Sequence, residues 1–406
     1  MKYHTIIIGA GTAGIFAGRE LRQHGHHDFL ILEAAGDIGG RVRTHLSKTG
    51  KAHELGAAFL HSQSQNPFAQ FLVDQGHALA FLEPAEHIVL NGKPLGDAEI
   101  RQFTRAYDDV LIEADILAGK NPDAMADSLL NGDEIHDAAV RAFAGPTETG
   151  AELSELSILD VAGQIELHEN ALLKGSIQDA LRAAAKDLPV QLNTAVTHID
   201  YSGDKIRLAT SKGEYSCDDL IITSSVNVLL DQLKFIPPLP AEKQQALGHL
   251  RLGLLNKHIV KYKELIWPFG ESFYALLIDD THGQCEVWIM PHAPSTLNIL
   301  YGGKKTHFIY ADFAAAFLPQ LQKLLPALDD NAVDWHQSTD WRAEAFTLGS
   351  YSMLRVGDAS AREAYAAPLN DRIFFAGEAA EGQWATQLPG AMLSGQAAAR
   401  RVLQKR

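Results

Sequence analysis

The sequence predicts an α/β protein of two domains, in which a mixed helix/sheet domain is inserted into a discontinuous Rossmann-type dinucleotide-binding domain. Three observations support this fold class. The first 33 residues contain a strand, a glycine turn, a helix and a second strand. Near the other end, a buried strand ends in Gly377 and Glu378 and is followed by a final helix. Between them the pattern changes to mostly helical over residues 85–170, and 406 residues suffice for two cores.

The first glycine turn has the pattern of a pyrophosphate site. An apolar, β-branched run ends directly in Gly9, and a helical pattern follows the turn. Gly9 allows the tight turn, Gly11 lets the backbone approach the phosphates, and Gly14 lets the helix pack on the strand. A second apolar strand delivers Glu33, whose carboxylate is placed to accept the ribose hydroxyls. A glycine turn in another kind of α/β domain is the alternative, which this complete context disfavours.

A second glycine-rich loop indicates which dinucleotide is bound. It contains Gly40, which lets the chain pass close to a ligand, and Arg41 and Arg43, which add charge for phosphate. A fold that binds only a nicotinamide dinucleotide does not need this loop. The stretch resembles the start of the flavin-containing amine oxidase family, in which a Gly-Gly-Arg loop wraps FAD. Residues 54–61 and the Asn-Pro pair at Asn66 look like the next family segment, closest to the polyamine oxidase branch.

Bulk composition excludes several classes of protein. The net charge of −15 argues against a nucleic-acid partner. No apolar run reaches 18 residues, and the first strand begins at once, so we expect a cytoplasmic protein without membrane or export segments. Cys217 and Cys285 show neither metal-ligand nor CxxC spacing, so the sequence predicts no metal site and no redox dithiol.

The negative charge is unevenly distributed along the chain. Between Glu86 and Arg182 there are 19 acidic and 7 basic side chains. A solvated acidic surface is one explanation of this excess. The other is an entrance that concentrates a cationic substrate by electrostatic attraction. The sequence leaves both open.

The order of segments also resembles the family. On this match the FAD-binding domain comprises residues 1–84, 171–235 and 341–406, and the substrate-binding domain comprises residues 85–170 and 236–340. Where the chain returns to the FAD-binding domain, the match implies that the backbone of Val196 holds the adenine. In the substrate-binding domain we expect a helix over residues 311–325, kinked or split at Pro319.

One predicted strand of the substrate-binding domain carries the candidate catalytic residue. Residues 253–264 alternate in polarity and resemble the family segment whose lysine reaches the flavin. The match implies that Lys257 holds a water against flavin N5, where its charge also assists the reaction of reduced flavin with oxygen. The nearby Lys261 and Lys263 leave the alternative of an ordinary surface lysine open.

The last part of the chain matches the family closely. In the family, the pair matched by Gly377 and Glu378 touches the ribityl and phosphate region, and the final helix, near Leu388, directs its N-terminus at the flavin pyrimidine. Trp341 matches a tryptophan that packs near the flavin ring. In monoamine oxidases a cysteine bonds the flavin covalently where Ser350 stands here. The resemblance therefore implies noncovalent FAD.

The substrate pocket departs from the family pattern at one position. Many amine oxidases hold the substrate nitrogen between two aromatic rings, at the positions of Tyr351 and Gln387. One aromatic wall is therefore missing, although Trp384 could reach in from the preceding loop. A cation–π contact contributes about 0.5–2 kcal/mol, so the loss weakens amine selection without abolishing it. His61 is a further pocket candidate, with a purely structural role equally open.

Together these features predict an FAD-dependent amine oxidase. The resemblance implies hydride transfer from the carbon beside the amine nitrogen to flavin N5, and reoxidation by O2 with release of hydrogen peroxide. The acidic stretch favours a polyamine or another cationic amine as substrate. Two alternatives stay open. One is a flavin desaturase or porphyrinogen-type oxidase that acts on C–C bonds, and the other is a non-catalytic FAD-binding interaction protein.

Overall fold

The computed structural model describes residues 1–48, 50–82, 84–162, 169–305, 310–329 and 332–405. The chain divides into two compact units. Unit 1 comprises Met1–Ala80, Ile165–Leu252 and Arg342–Arg406, and unit 2 comprises Phe81–Gln164 and Gly253–Trp341. Part of the stretch expected to be helical, residues 163–168, lies outside the described residues. Among the described helices, none is both long and apolar enough to cross a membrane.

In the described residues the strands are β1 (Thr5–Ile8), β2 (Phe29–Leu32), β3 (Thr44–Leu46), β4 (Ala52–Glu54), β5 (Phe59–Leu60), β6 (Leu79–Phe81), β7 (Pro84–Leu90), β8 (Lys93–Pro94), β9 (Ala171–Leu173), β10 (Val190–Gln191), β11 (Val196–Asp200), β12 (Ile206–Thr210), β13 (Gly213–Cys217), β14 (Asp219–Ile222), β15 (Lys234–Ile236), β16 (Leu250–Leu252), β17 (Leu255–Tyr262), β18 (Ser272–Asp279), β19 (Gly283–Ile289), β20 (Thr296–Gly302), β21 (Val333–Ser338), β22 (Ser352–Leu354) and β23 (Ile373–Phe375). The α-helices are α1 (Thr12–Gln23), α2 (Pro67–Asp74), α3 (Asp97–Lys120), α4 (Glu134–Ala144), α5 (Pro146–Thr149), α6 (Ile158–Val161), α7 (Ile177–Ala185), α8 (Val226–Asp231), α9 (Ala241–His249), α10 (Tyr310–Leu324), α11 (Ala361–Ala366) and α12 (Leu388–Gln404).

A five-stranded sheet in the order β10-β2-β1-β14-β23 forms the centre of unit 1, and all its pairings are parallel. All four residues of β1, β2 and β14 are buried, as expected for parallel strands covered on both faces. Helices α1, α7 and α12 contribute apolar side chains such as Phe16, Leu181 and Met392 to one core with this sheet. The first glycine turn therefore lies at the carboxyl end of a central strand, where α/β sheets bind their ligands.

Residues 236–252 pack with unit 1, whereas the sequence placed them in the substrate-binding domain. The reason is a set of contacts that sequence spacing does not reveal. Strand β16 pairs antiparallel with β22, and the Lys243 ammonium on α9 donates hydrogen bonds to the carbonyl groups of Ala364, Tyr365 and Ala367 at the end of α11. These bonds satisfy carbonyls that a helix C-terminus leaves without an intrahelical partner.

Unit 2 is organised on a seven-stranded sheet in the order β21-β17-β20-β19-β18-β7-β8. One face packs under α10, with a core that includes Val260, Cys285 and Ile299. Part of the other face packs against α3 and α4 through residues such as Leu276. The segment that begins at residue 85 is thus not wholly helical, since β7 and β8 belong to this sheet. Helix α10 runs through Pro319 as one helix and is not split.

Candidate active site

Glu33 lies at the end of β2 with its carboxylate directed at the first glycine turn. Its Oε2 accepts a hydrogen bond from the N–H of Ala10 at 2.6 Å, and its Oε1 accepts one from the N–H of Ala35 at 2.8 Å. Burial raises the pKa of Glu33, and these backbone bonds counteract the rise. Two carboxylate oxygens offer about four acceptor sites, so acceptor capacity remains for a ribose hydroxyl.

The two glycine-rich loops lie against each other. Gly11 and Gly39 form a parallel bridge, and the N–H of Gly39 donates to the carbonyl of Ala10 at 2.9 Å. A Cβ on Gly14 would lie 1.9 Å from the Gly9 carbonyl oxygen, so no larger residue fits there. Helix α1 starts without a side-chain cap, which leaves its first N–H groups to meet an anion. This cradle fits the pyrophosphate of a dinucleotide.

Both arginines of the second loop form ion pairs within unit 1. Arg41 donates from one guanidinium nitrogen to Glu378 Oε1 at 2.8 Å and to the Ser350 carbonyl at 2.6 Å. Arg43 forms a two-point pair with Glu344 at 2.5 and 3.0 Å. The first pair is mostly buried and the second is half exposed. The guanidinium groups therefore fix the loop itself, in addition to the phosphate role expected for them.

Glu378 connects several segments of unit 1. Its carboxylate accepts hydrogen bonds from Arg41, from the N–H and hydroxyl of Ser352, and from the N–H of Thr386. Burial opposes its ionisation, but the charges of Arg41 and Arg362 and the Ser352 hydroxyl hold the pKa of Glu378 below its usual range. The carboxylate is thus charged, and protein donors from three other segments occupy its oxygens.

The loop before α12 has the features expected of a ligand-facing turn. Gln387 is the N-cap residue of α12 but makes no capping bond, and its buried Oε1 has no hydrogen-bond partner among the described residues. The first N–H groups of the helix, from Leu388 onward, are correspondingly uncapped. A Cβ on Gly390 would lie 2.1 Å from the Trp384 carbonyl, so glycine is required there. Thr386 adopts a left-handed φ of 68°, which its bond to Glu378 holds in place.

Three other predicted site residues of unit 1 are Tyr351, His61 and Val196. Tyr351 is half buried and directly precedes Ser352, so the Glu378 carboxylate binds the neighbours of both Tyr351 and Gln387. His61 Nδ1 lies 2.8 Å from the amide oxygen of Asn170, a contact that suits a structural role. Val196 is half buried at the start of β11.

Lys257 and Trp341 belong to unit 2, where two polar residues fix their positions. Lys257 is only 7% exposed, so the surface-lysine alternative is wrong. Its backbone pairs with Thr339, and the side-chain oxygen of Asn256 accepts hydrogen bonds from the N–H of Trp341 at 3.0 Å and from Thr339 at 3.2 Å. Asn256 and Thr339 were not predicted from the sequence, although an asparagine directly before the candidate lysine on a predicted strand is a usable signal.

A cradle of two glycine loops in unit 1, together with a second unit that carries a buried lysine, defines a two-unit dinucleotide-binding protein. A family model described as flavin-containing amine oxidoreductase matches residues 12–170 and 163–403. The chain belongs to this family. FAD is accordingly its cofactor.

Individual relatives agree on the family but differ in their named substrates. The chain is 26% identical over 455 residues to polyamine oxidase 3 of Oryza sativa subsp. japonica, covering 100% of this chain and 91% of that one. It is 24% identical to lysine-specific histone demethylase 1 homolog 1 of the same plant, covering 96% of this chain but only 51% of the relative. The chain thus spans about half the length of this relative, and also about half the length of Protein FLOWERING LOCUS D of Arabidopsis thaliana.

The fold also matches a solved structure. Putrescine oxidase, wild type and bound to putrescine, superimposes with a TM-score of 0.83 at 18% sequence identity, covering 100% of this chain and 99% of that chain. The match confirms the two-domain fold class with its mixed helix and sheet content. At this identity it shows the fold alone.

Proposed function

We propose that this protein oxidises the C–N bond of a polyamine or another cationic amine, with O2 as the electron acceptor and hydrogen peroxide as product. The observation that carries the proposal is the burial of Lys257 on the sheet of unit 2, in a chain whose other unit holds the FAD cradle. A lysine inside the fold, rather than at the surface, suits a role at a buried reaction centre. The named substrates of polyamine oxidase 3 and putrescine oxidase support the choice of amine.

Each proposed step uses groups of this chain. Bound FAD would supply the two-electron chemistry: it would take a hydride from the carbon beside the neutral amine nitrogen, which would convert the amine into an imine for hydrolysis, and it would reduce O2 to hydrogen peroxide. Glu33 binds the ribose hydroxyls, and the N–H groups at the start of α1 bind the pyrophosphate. The uncapped N-terminus of α12, at Leu388, stabilises negative charge on the flavin pyrimidine. Lys257 supplies positive charge for the reaction with O2.

Replacing Glu33 by alanine should weaken FAD binding by roughly 10- to 100-fold, because hydrogen bonds to a charged acceptor contribute about 1.5–3 kcal/mol. The dissociation constant of FAD, measured by flavin fluorescence with the apoprotein, checks this. Glu214→Ala, which removes an exposed carboxylate of unit 1, is the matched control and should leave it unchanged. Equal affinities for wild type and Glu33→Ala would exclude the assigned ribose contact.

FAD should be held without a covalent bond, because Ser350 stands where a flavin-bonding cysteine is expected and serine has no thiolate to react. Precipitation of the yellow protein with acid should release all flavin into the supernatant, where its absorbance is measured. Flavin that stays with the protein pellet after unfolding and washing would contradict this.

The proposed substrate class is tested by steady-state peroxide formation with four groups of compounds: spermidine and spermine, neutral hydrophobic amines, amino acids, and a basic peptide carrying N-methylated lysine. We expect the polyamines to give the highest kcat/KM. Turnover of neutral amines that is as fast as that of polyamines would remove the preference for cations. A preference for the methylated peptide would instead align the protein with its histone demethylase relatives.

A further inference from the structure

Helix α8 begins at the edge of the unit 1 sheet where the dinucleotide cradle lies. It follows β14, which runs parallel to β1, so the carboxyl ends of the two strands meet at this edge. Two polar side chains at the start of α8, Ser225 and Asn227, donate hydrogen bonds to the irregular segment 344–350 that precedes Tyr351. These bonds connect the ligand-binding edge of the sheet to a candidate residue of the substrate pocket.

The first of these bonds comes from Ser225, the N-cap residue of α8. Its Oγ donates to the carbonyl of Thr347 at 2.6 Å and accepts a hydrogen bond from the N–H of Val228 at 3.3 Å. Ser225 and Thr347 are both buried. Because water does not reach this bond, the Thr347 carbonyl would lose its donor outright if the hydroxyl were removed.

The side-chain amide of Asn227 holds both ends of the short stretch that contains Tyr351. Its Nδ2 donates to the carbonyl of Leu348 at 2.8 Å, and its Oδ1 accepts a hydrogen bond from the N–H of Leu252 at 3.2 Å. Leu252 on β16 pairs in register with Ser352 on β22. Asn227 therefore fixes the chain directly three residues before Tyr351 and, through β16, one residue after it.

Leu348 has a backbone conformation that leucine rarely adopts. Its φ is 58°, in the left-handed region, where the Cβ crowds the backbone. Two hydrogen bonds hold it there: its N–H donates to the carbonyl of Glu344 at 2.9 Å, and its carbonyl accepts from Asn227. Strained backbone of this kind persists only where its surroundings impose it, and it concentrates at ligand-binding sites. The strain therefore points to a functional reason for the position of this segment.

The two neighbours of Tyr351 are fixed as well. The carbonyl of Ser350 accepts a hydrogen bond from Arg41 at 2.6 Å, and the N–H of Ser352 donates to Glu378 at 3.2 Å. Tyr351 itself is half buried. Because the backbone is held on both sides of Tyr351, the direction of its ring depends on the conformation of the segment that leads to it.

We propose that Asn227 is a positioning residue for the substrate: its amide holds Leu348 in the left-handed conformation, and this conformation directs the ring of Tyr351 toward the amine. The inference rests on the proposed oxidation of a cationic amine. A tyrosine ring attracts a cation only within about 6 Å of its face, so a small rotation of the backbone at Leu348 would move the ring out of contact. Asn227 thus contributes to amine affinity without touching the amine.

The test measures spermidine binding to the dithionite-reduced holoenzyme by calorimetry. Asn227→Asp keeps an acceptor for the N–H of Leu252 but removes the donor to Leu348, and it should weaken binding roughly 10-fold, the equivalent of one hydrogen bond. Gln232→Glu is the matched control. It makes the same change from amide to acid at the end of α8, where Gln232 Nε2 donates to the carbonyl of Ala345 at 2.9 Å, and it should keep the wild-type affinity.

Two double variants distinguish positioning from general stabilisation. Glycine adopts the left-handed conformation without strain, so adding Leu348→Gly to Asn227→Asp should recover about 3-fold of the lost affinity. In a Tyr351→Ala background, where the ring is already absent, Asn227→Asp should change the affinity by less than about 2-fold. A residue that only stabilises the fold would give the same loss with and without the Tyr351 ring.

Stopped-flow kinetics provides a second measurement. In Asn227→Asp the amine concentration that gives half the maximal rate of anaerobic flavin reduction should rise by the same factor, whereas reoxidation of the reduced flavin by O2 should keep its wild-type rate. If Asn227→Asp does not fold, Ser225→Ala removes the neighbouring bond to Thr347 and should weaken amine binding in the same direction.

The outcomes separate this inference from the proposed function. Wild-type affinity in Asn227→Asp or in Tyr351→Ala would overturn the inference and leave amine oxidation intact. Equal losses in Asn227→Asp and Gln232→Glu, no gain from Leu348→Gly, or full additivity of Asn227→Asp with Tyr351→Ala would overturn it in the same way. A wild-type flavin that no amine reduces would overturn the proposed function, and this inference with it.

Discussion

The Lys257→Met variant is expected to reoxidise its reduced flavin about 100- to 1000-fold more slowly than wild type, the usual effect of losing one electrostatic group that stabilises developing charge. Methionine keeps the length of the buried side chain, which is 7% exposed, but it carries no charge. Stopped-flow mixing of the reduced enzyme with oxygenated buffer measures the rate.

The matched control for this variant is Lys263→Met, which removes an exposed lysine just after β17 and should react at the wild-type rate. Full rates of both flavin reduction and reoxidation in Lys257→Met would remove Lys257 from the chemistry. That result would favour the desaturase or porphyrinogen-type alternative, which has no need of this lysine.

Removal of the Glu378 side chain should have the largest effect on stability. Glu378→Ala leaves the Arg41 charge, the Ser352 hydroxyl and the N–H of Thr386 without their shared acceptor. Breaking a buried ion pair typically costs 3–5 kcal/mol, and because Arg41 is 26% exposed we expect about 3 kcal/mol in the free energy of unfolding. Urea denaturation of the apoprotein measures it, and the variant should also hold less FAD.

The second arginine pair offers a control within the same loop. Glu344→Ala breaks the pair of Arg43 and Glu344, whose side chains are 38% and 37% exposed, so we expect a loss below about 1 kcal/mol. Equal losses in the two variants would show that burial does not distinguish the pairs.

The lowered pKa of Glu378 also predicts how the free energy of unfolding changes with pH. Because the pKa of Glu378 is lower in the folded state, its contribution to stability is full above the ordinary glutamate value of about 4.3. That contribution is lost as pH falls from there through the folded pKa. Wild type should therefore lose more stability than Glu378→Ala in this acidic range.

Local features were predictable from the sequence. Gly9, Gly14 and Glu33 act within one strand-turn-helix-strand unit, so their spacing was enough to predict how they meet. Lys257 was identifiable from alternation and family resemblance, although only the structure shows that it is buried.

Features that depend on distant residues were not predictable in this way. Arg41 and Glu378 are separated by 337 positions, and nothing in the sequence around either residue indicates that they pair. Residues 236–252 were predicted to belong to the substrate-binding domain but pack with unit 1. The sequence did not indicate this because the pairing of β16 with β22 is also long range.

The proposed function requires that a cationic amine reduces the bound flavin and that O2 reoxidises it. The most direct measurement is the visible spectrum of the anaerobic holoenzyme before and after addition of a diamine, followed by admission of air. We expect the flavin to bleach with the diamine and its colour to return in air with one equivalent of hydrogen peroxide. A flavin that stays oxidised with diamines, polyamines and monoamines alike would contradict the claim.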